Sequence, residues 1–188
     1  YEIRLSLVDS DMCISDSGVG THTLTAQSGA KTKTGTKKYG SASGLFNGTS
    51  DYVSAPDHAD WQLGGGSGDW TIECWVNFGS TSGVQTICAQ AQDNSNYWTV
   101  YWQSCMLHFQ IRTGGTATEL NISYSSSWST GTWYHLAYCR SGNTLRFFKD
   151  GTQLGGDQSF TGTIGNYTGS FYIAKDSQTA DRYFNGYM

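Results

Sequence analysis

Four aromatic rings fall within six residues at Tyr97-Trp98-Thr99-Val100-Tyr101-Trp102. Successive side chains of an extended strand point to opposite faces, so Trp98 and Trp102 share one face and Tyr97 and Tyr101 the other. Sugars are held by aromatic faces stacked on their C–H surfaces, with planar amides and carboxylates supplying directional hydrogen bonds. These four rings, with Trp128 and Trp75, therefore make carbohydrate binding the sharpest chemical expectation. One of the two pairs must turn towards a core. The other is available to face solvent, or both pairs pack between layers.

Catalytic chemistry is harder to assemble from these residues. Glycoside hydrolysis needs two carboxylates about 5–9.5 Å apart. Glu73 stands alone on a strongly patterned stretch, with Thr71 and Trp75 as its same-face neighbours, which suits a solvent-facing carboxylate. His135 lies in a core strand and is expected to be a hydrogen-bonded structural residue. The chain has neither a serine nucleophile elbow nor a His-x-x-x-His pair. No two of the five cysteines (Cys13, Cys74, Cys88, Cys105, Cys139) sit at CxxC spacing, so they do not suggest a zinc site. Mostly free thiols are expected, with Cys74 and Cys139 on the apolar phase of strands.

A net charge of −4 argues against sequence-independent nucleic-acid binding, which needs a basic face. The nearest basic run, Lys31, Lys33, Lys37 and Lys38, is diluted by Thr and Gly and reads as a solvated loop or edge strand. No apolar run approaches the ~20 residues of a membrane-spanning helix, so insertion into a membrane is not expected.

The elements that must position these residues are strands. In Asp69–Phe78, residues Trp70, Ile72, Cys74, Val76 and Phe78 alternate with Thr71, Glu73, Trp75 and Asn77, which predicts a half-buried strand. Tyr134–Arg140 alternates similarly and leads through Ser141-Gly142-Asn143 into Leu145–Lys149. Asp150-Gly151 then signals a tight hairpin, because both residues tolerate positive φ. Tyr97–Trp102 and Met106–Ile111 predict another hairpin, and Pro56 suits a strand end. Shorter strands are expected at Ile3–Val8, His22–Ala26, Gln85–Gln90, Glu119–Tyr124 and Phe171–Ala174, with polar loops at 9–20 and 125–131. About a dozen strands, many glycines and no helical pattern predict one domain over residues 1–188, an all-β antiparallel sandwich of two sheets.

Several of these segments carry a family resemblance. Gly44-Leu45-Phe46-Asn47-Gly48, Asp51-Tyr52-Val53 and Asp69-Trp70-Thr71-Ile72-Glu73-Cys74-Trp75-Val76 come first. Gly131-Thr132-Trp133-Tyr134-His135-Leu136-Ala137, Leu145–Gly151, Phe171–Ala174 and Tyr183–Tyr187 follow in order. The pattern resembles the laminin-G-like, concanavalin-A-like jelly rolls, most of all those of bacterial surface and phage structural proteins. The resemblance covers about Asp9 to Met188 and implies a jelly-roll sandwich used for binding or assembly. Members continue after Asn-Gly-Tyr with an acidic, apolar strand, so the resemblance implies that either a closing strand has been lost here or the sequence is a piece of a longer chain. The Glu-x-Asp-x-x-Glu pattern of the glucanases of this fold is missing. Relatives often carry calcium at a loop edge on Asp and Asn oxygens. The matching candidates are Asp51, Asp93, Asn94 and Asn96, with Asp9, Asp11 and Asp16 as a second set. None has EF-hand spacing, and Asp and Asn are ordinary turn formers.

The expectation is a noncatalytic recognition module, extracellular or on a virion, whose partner is a glycan or a cell-surface or virion protein. The alternative is a structural subunit of a capsid, fibre or filament, self-assembling by strand addition at an open edge.

Overall fold

The computed structural model describes residues 2–4, 22–123, 127–178 and 181–188, and nearly all of its regular structure is strand. The first strands are short: β1 (Glu2–Arg4), β2 (Thr25–Gln27), β3 (Lys31–Lys33), β4 (Ser43–Asn47) and β5 (Tyr52–Ala55). The long ones follow: β6 (Trp70–Phe78), β7 (Val84–Asp93), β8 (Asn96–Gln103), β9 (Met106–Thr113) and β10 (Thr116–Ser123). The chain continues with β11 (Trp133–Ser141), β12 (Thr144–Lys149), β13 (Thr152–Ser159), β14 (Phe171–Ile173) and β15 (Asn185–Tyr187). Two 3-10 turns, Ala59–Trp61 and Leu63–Gly66, are the helical elements among the described residues. The predicted loop at 9–20, with Asp9, Asp11, Cys13 and Asp16, lies outside the described residues.

The strands form two sheets. One runs β13-β12-β11-β6-β15-β4-β3, with β1 paired in parallel to β6; the other runs β10-β9-β8-β7-β14-β5-β2. Aside from β1, the pairing is antiparallel, as the hairpin signals require. Asp150 and Gly151 both adopt positive φ, 51° and 77°, which matches the twist of β12 and β13.

Two strand periods set the core. Trp70, Ile72, Cys74, Val76 and Phe78 of β6 are all buried, while Thr71, Glu73 and Trp75 on the other face are partly open. From the second sheet, β8 and β9 send in Trp98, Val100, Trp102, Leu107, Phe109 and Ile111. The sheets meet ring to ring, with Trp70 against Phe109 at 5.2 Å and Phe78 against Trp102 at 5.3 Å. Each such side chain contributes about 1.5–3 kcal/mol through burial.

The last strand is threaded into the middle of its sheet. β15 pairs with β4 on one side and β6 on the other, and the Met188 N–H donates to the Gly44 carbonyl at 3.0 Å. Gly186 permits this close approach: its φ is +134°, and a Cβ there would sit 2.1 Å from the Asn77 carbonyl oxygen.

Candidate functional site

Neither aromatic pair of the Tyr97–Trp102 strand is open to a ligand, which corrects the expectation. Trp98 and Trp102 are 0% and 1% exposed and belong to the core between the sheets. Tyr97 and Tyr101 point the other way but are also buried, Tyr101 stacking on His108 at 4.4 Å and 5°. The strand is central in its sheet and covered on both sides. Trp128 is partly buried. It packs on Phe78, Trp102 and Tyr134, and the Lys149 ammonium lies 4.3 Å from its ring. It packs against the edge of the core cluster.

The expected calcium ligands do not form one site. β5 and β7 are both antiparallel to β14, so they run parallel to each other. Asp51 precedes β5 and Asp93 ends β7, which puts them at opposite ends of the sheet. Each has a local task instead. The Gly29 N–H donates to Asp51 Oδ1 at 2.9 Å, latching the β2–β3 turn onto the start of β5. Asp93 accepts from the Ser95 N–H at 2.7 Å and from the Asn96 amide at 3.0 Å; the Ser95 bond leads in holding its carboxyl below the usual range. The Gly114 N–H donates to Asn96 Oδ1, and Arg112 Nη1 donates to the Asn94 carbonyl. These are turn contacts.

The open aromatic surface lies on the other sheet. Cross-strand pairing sets Trp75 of β6 opposite His135 of β11, with ring centroids 5.2 Å apart. His135 Nε2 reaches Glu73 Oε2 at 3.4 Å, both side chains being about one-quarter exposed. The β3–β4 connection crosses the sheet and lays Tyr39 edge-on to Trp75 at 5.4 Å. Tyr39 is 68% exposed and is the one exposed large hydrophobic side chain among the described residues. The Lys38 ammonium sits 4.6 Å from the Trp75 ring. Trp133 and Phe148, both partly exposed, extend the same face. An indole and a phenol thus stand beside a carboxylate, an imidazole and an ammonium, the floor held by two central strands. Displacing Lys38 from the indole costs about 0.5–1 kcal/mol, the worth of an exposed cation–π contact.

Trp75 was visible in the sequence as one aromatic among several, on the polar phase of the strongest strand. What the sequence could not supply was Tyr39, whose glycine- and lysine-rich loop gives no sign of crossing the sheet. His135 sits in a central strand, as expected, but its ring faces outwards to Glu73.

Residues 47–188 match the family model of the concanavalin A-like lectin/glucanases superfamily. The chain belongs to this superfamily. Among solved structures it is similar to domain 4 of AbnA, a GH43 extracellular arabinanase from Geobacillus stearothermophilus solved with arabinotriose. The identity is 17%, coverage 94% of this chain and 83% of that one, and the TM-score 0.65. The botulinum neurotoxin serotype D/C VPI 5993 binding domain is 12% identical over 97% of this chain and 45% of its own, with a TM-score of 0.69. Domains LG4-5 of the mouse laminin alpha1 chain are 15% identical over 75% and 38%, with a TM-score of 0.55. This chain thus spans less than half of the toxin and laminin structures. At these identities the likeness is one of fold. No curated protein matches the sequence significantly.

The fold expectation, an all-β concanavalin-A-like sandwich, therefore holds. No helix among the described residues is long and apolar enough to cross a membrane.

Proposed function

We propose that this superfamily member is a noncatalytic glycan-recognition module that binds through the outer face of the β6–β11 sheet. The observation that carries this reading is the convergence of Trp75 and Tyr39 beside Glu73 and His135. Aromatic faces supply the C–H stacking surface, and the carboxylate and imidazole supply directional hydrogen bonds. Placing the floor on central strands fixes it before a ligand arrives, which lowers the ordering cost of binding. The domain of AbnA solved with arabinotriose and the toxin binding domain lend support from the same fold. Extracellular or surface display goes with this reading.

Asp157 does not supply a hydrolytic partner for Glu73. Glu73 faces Ala137 across the β6–β11 pair. The carboxylate of Asp157 on β13 is three strands away, about 14 Å at ~4.8 Å per strand, beyond the ~5–9.5 Å of a glycosidase pair. Asp157 is also held by Arg146 at 2.7 Å. Assembly by strand addition at β15 is disfavoured as well, because that strand is paired on both sides.

A glycan array probed with the chain and with Trp75→Ala tests the proposal. Binding to a defined set of glycans by the parent, lost in the variant at unchanged thermal stability, is the expected result. Glycan binding that survives Trp75→Ala would rule this face out.

A further inference from the structure

We propose a binding site for a divalent transition metal of the zinc class at the edge of the second sheet, formed by His22, His58 and Asp60. Strand pairing brings the three together. β2 and β5 are antiparallel with Thr25 opposite Ser54, so the same register carried back along β2 sets His22 beside the residues that leave β5. The 3-10 turn Ala59–Trp61 then folds the Asp60 carboxylate back towards both imidazoles. One ligand atom from each residue lies within 4.8 Å of the others.

The spacing and the donor types suit such an ion. Asp60 Oδ2 is 3.1 Å from His22 Nε2 and 3.2 Å from His58 Nδ1. Metal–ligand bonds of ~2.0–2.1 Å at tetrahedral angles place ligand atoms ~3.3–3.4 Å apart, so both edges already approach that figure. Two imidazole nitrogens and one carboxylate oxygen select zinc, copper or nickel over calcium, which takes six or more oxygens. His58 Nδ1 accepts the Asp60 backbone N–H at 3.2 Å, so its lone pair is directed to the same side as the carboxylate. Two electron-pair donors this close repel each other, and a cation relieves the repulsion by exchanging the long N–H contact for a coordinate bond. His22 is held in place by the Trp61 ring at 4.4 Å and the His58 ring at 4.6 Å. The His58 side chain is 53% exposed, which leaves room for water as a fourth ligand. A bound ion would pin the edge strand β2 to the turn after β5.

The cysteine pattern directs attention away from zinc, and only the short His58-Ala59-Asp60 triplet hints at it. His22 is 36 positions earlier in the chain, so the cluster exists only once β2 and β5 pair.

The test is calorimetric titration of the full chain with zinc chloride, with Cys13 and Cys105 replaced by alanine so that these thiols take no metal. Cobalt(II) absorption reports the coordination number. One saturable equivalent is expected, with tetrahedral cobalt bands and a higher melting temperature. Affinity should fall at least about tenfold in Asp60→Asn and in His58→Ala. His58→Ala alters a half-exposed side chain, so it remains informative if Asp60→Asn folds poorly. The absence of saturable binding, equal binding in the folded variants, or calcium binding as tight as zinc would each overturn the proposal.

Discussion

At the scale of single residues, burial separates aromatic side chains that hold the fold from those free to act. Trp98→Ala removes a fully buried indole and should cost about 3–5 kcal/mol in urea unfolding, whereas Trp75→Ala should change stability by no more than about 1 kcal/mol. A similar loss in both would mean that the Trp75 face is structural. Tyr138 offers the opposite case. Its ring is buried against Phe147, and its hydroxyl has no hydrogen-bond partner among the described residues. Tyr138→Phe deletes a polar atom that folding desolvates without compensation, so urea midpoints should show stability unchanged or increased. Thiol accessibility follows the same logic. Cys74 and Cys88 are buried, Cys139 is half-buried and Cys105 is exposed, and all four are unpaired. Peptide mapping after brief alkylation of the native chain should find Cys105 labelled well before Cys74 and Cys88, and early labelling of either core thiol would contradict the burial.

At the scale of elements, the alternation in β6 and β11 was fully legible, because a period of two with aromatic and β-branched residues has no competing reading. The faces of β8 were not. Its two aromatic pairs look equivalent in sequence, and only the packed structure shows that both are buried. The acidic turns are ambiguous for a related reason: Asp and Asn oxygens suit a loop-edge cation and a hairpin turn alike, and here Asp93 and Asn96 make turn hydrogen bonds. Element geometry also fixes β15. Gly186→Ala would drive a methyl group into the Asn77 carbonyl and force an unfavourable φ. Thermal denaturation should show a loss of several degrees or more, while Gly151→Asn, at a hairpin position that tolerates positive φ, should be mild. Equal effects would mean that β15 is not locked between β4 and β6.

For the whole molecule, two sheets closed over a core holding neutral acids make stability fall in alkali. Burial raises the Cys74 thiol from 9.0 to about 12, and it pushes the Cys88 thiol and the Tyr138 phenol up as well. These groups stay protonated in the fold but ionise once unfolded, the thiols from about pH 9 and the phenol from about pH 10, so their stabilisation is complete below pH 9 and is lost as pH rises towards 12. Each such group contributes up to about 1.4 kcal/mol per pH unit in that window. Urea unfolding at pH 7.5, 9 and 10.5 should show the decline, and Cys74→Ala should make it shallower. A slope unaltered by that substitution would place the alkaline sensitivity elsewhere.

Recognition through the outer face of the β6–β11 sheet is tested most directly by nuclear magnetic resonance. The best glycan from an array is titrated into uniformly 15N-labelled chain, and the shifts are mapped. The expected result is saturable movement of the Trp75 indole and of the Tyr39, Glu73 and His135 amides, with the indoles of Trp98 and Trp102 unmoved. Shifts centred instead on Tyr52, Tyr172 and Lys175, which cluster on the outer face of the second sheet, would contradict it. So would the failure of every glycan to produce a saturable shift.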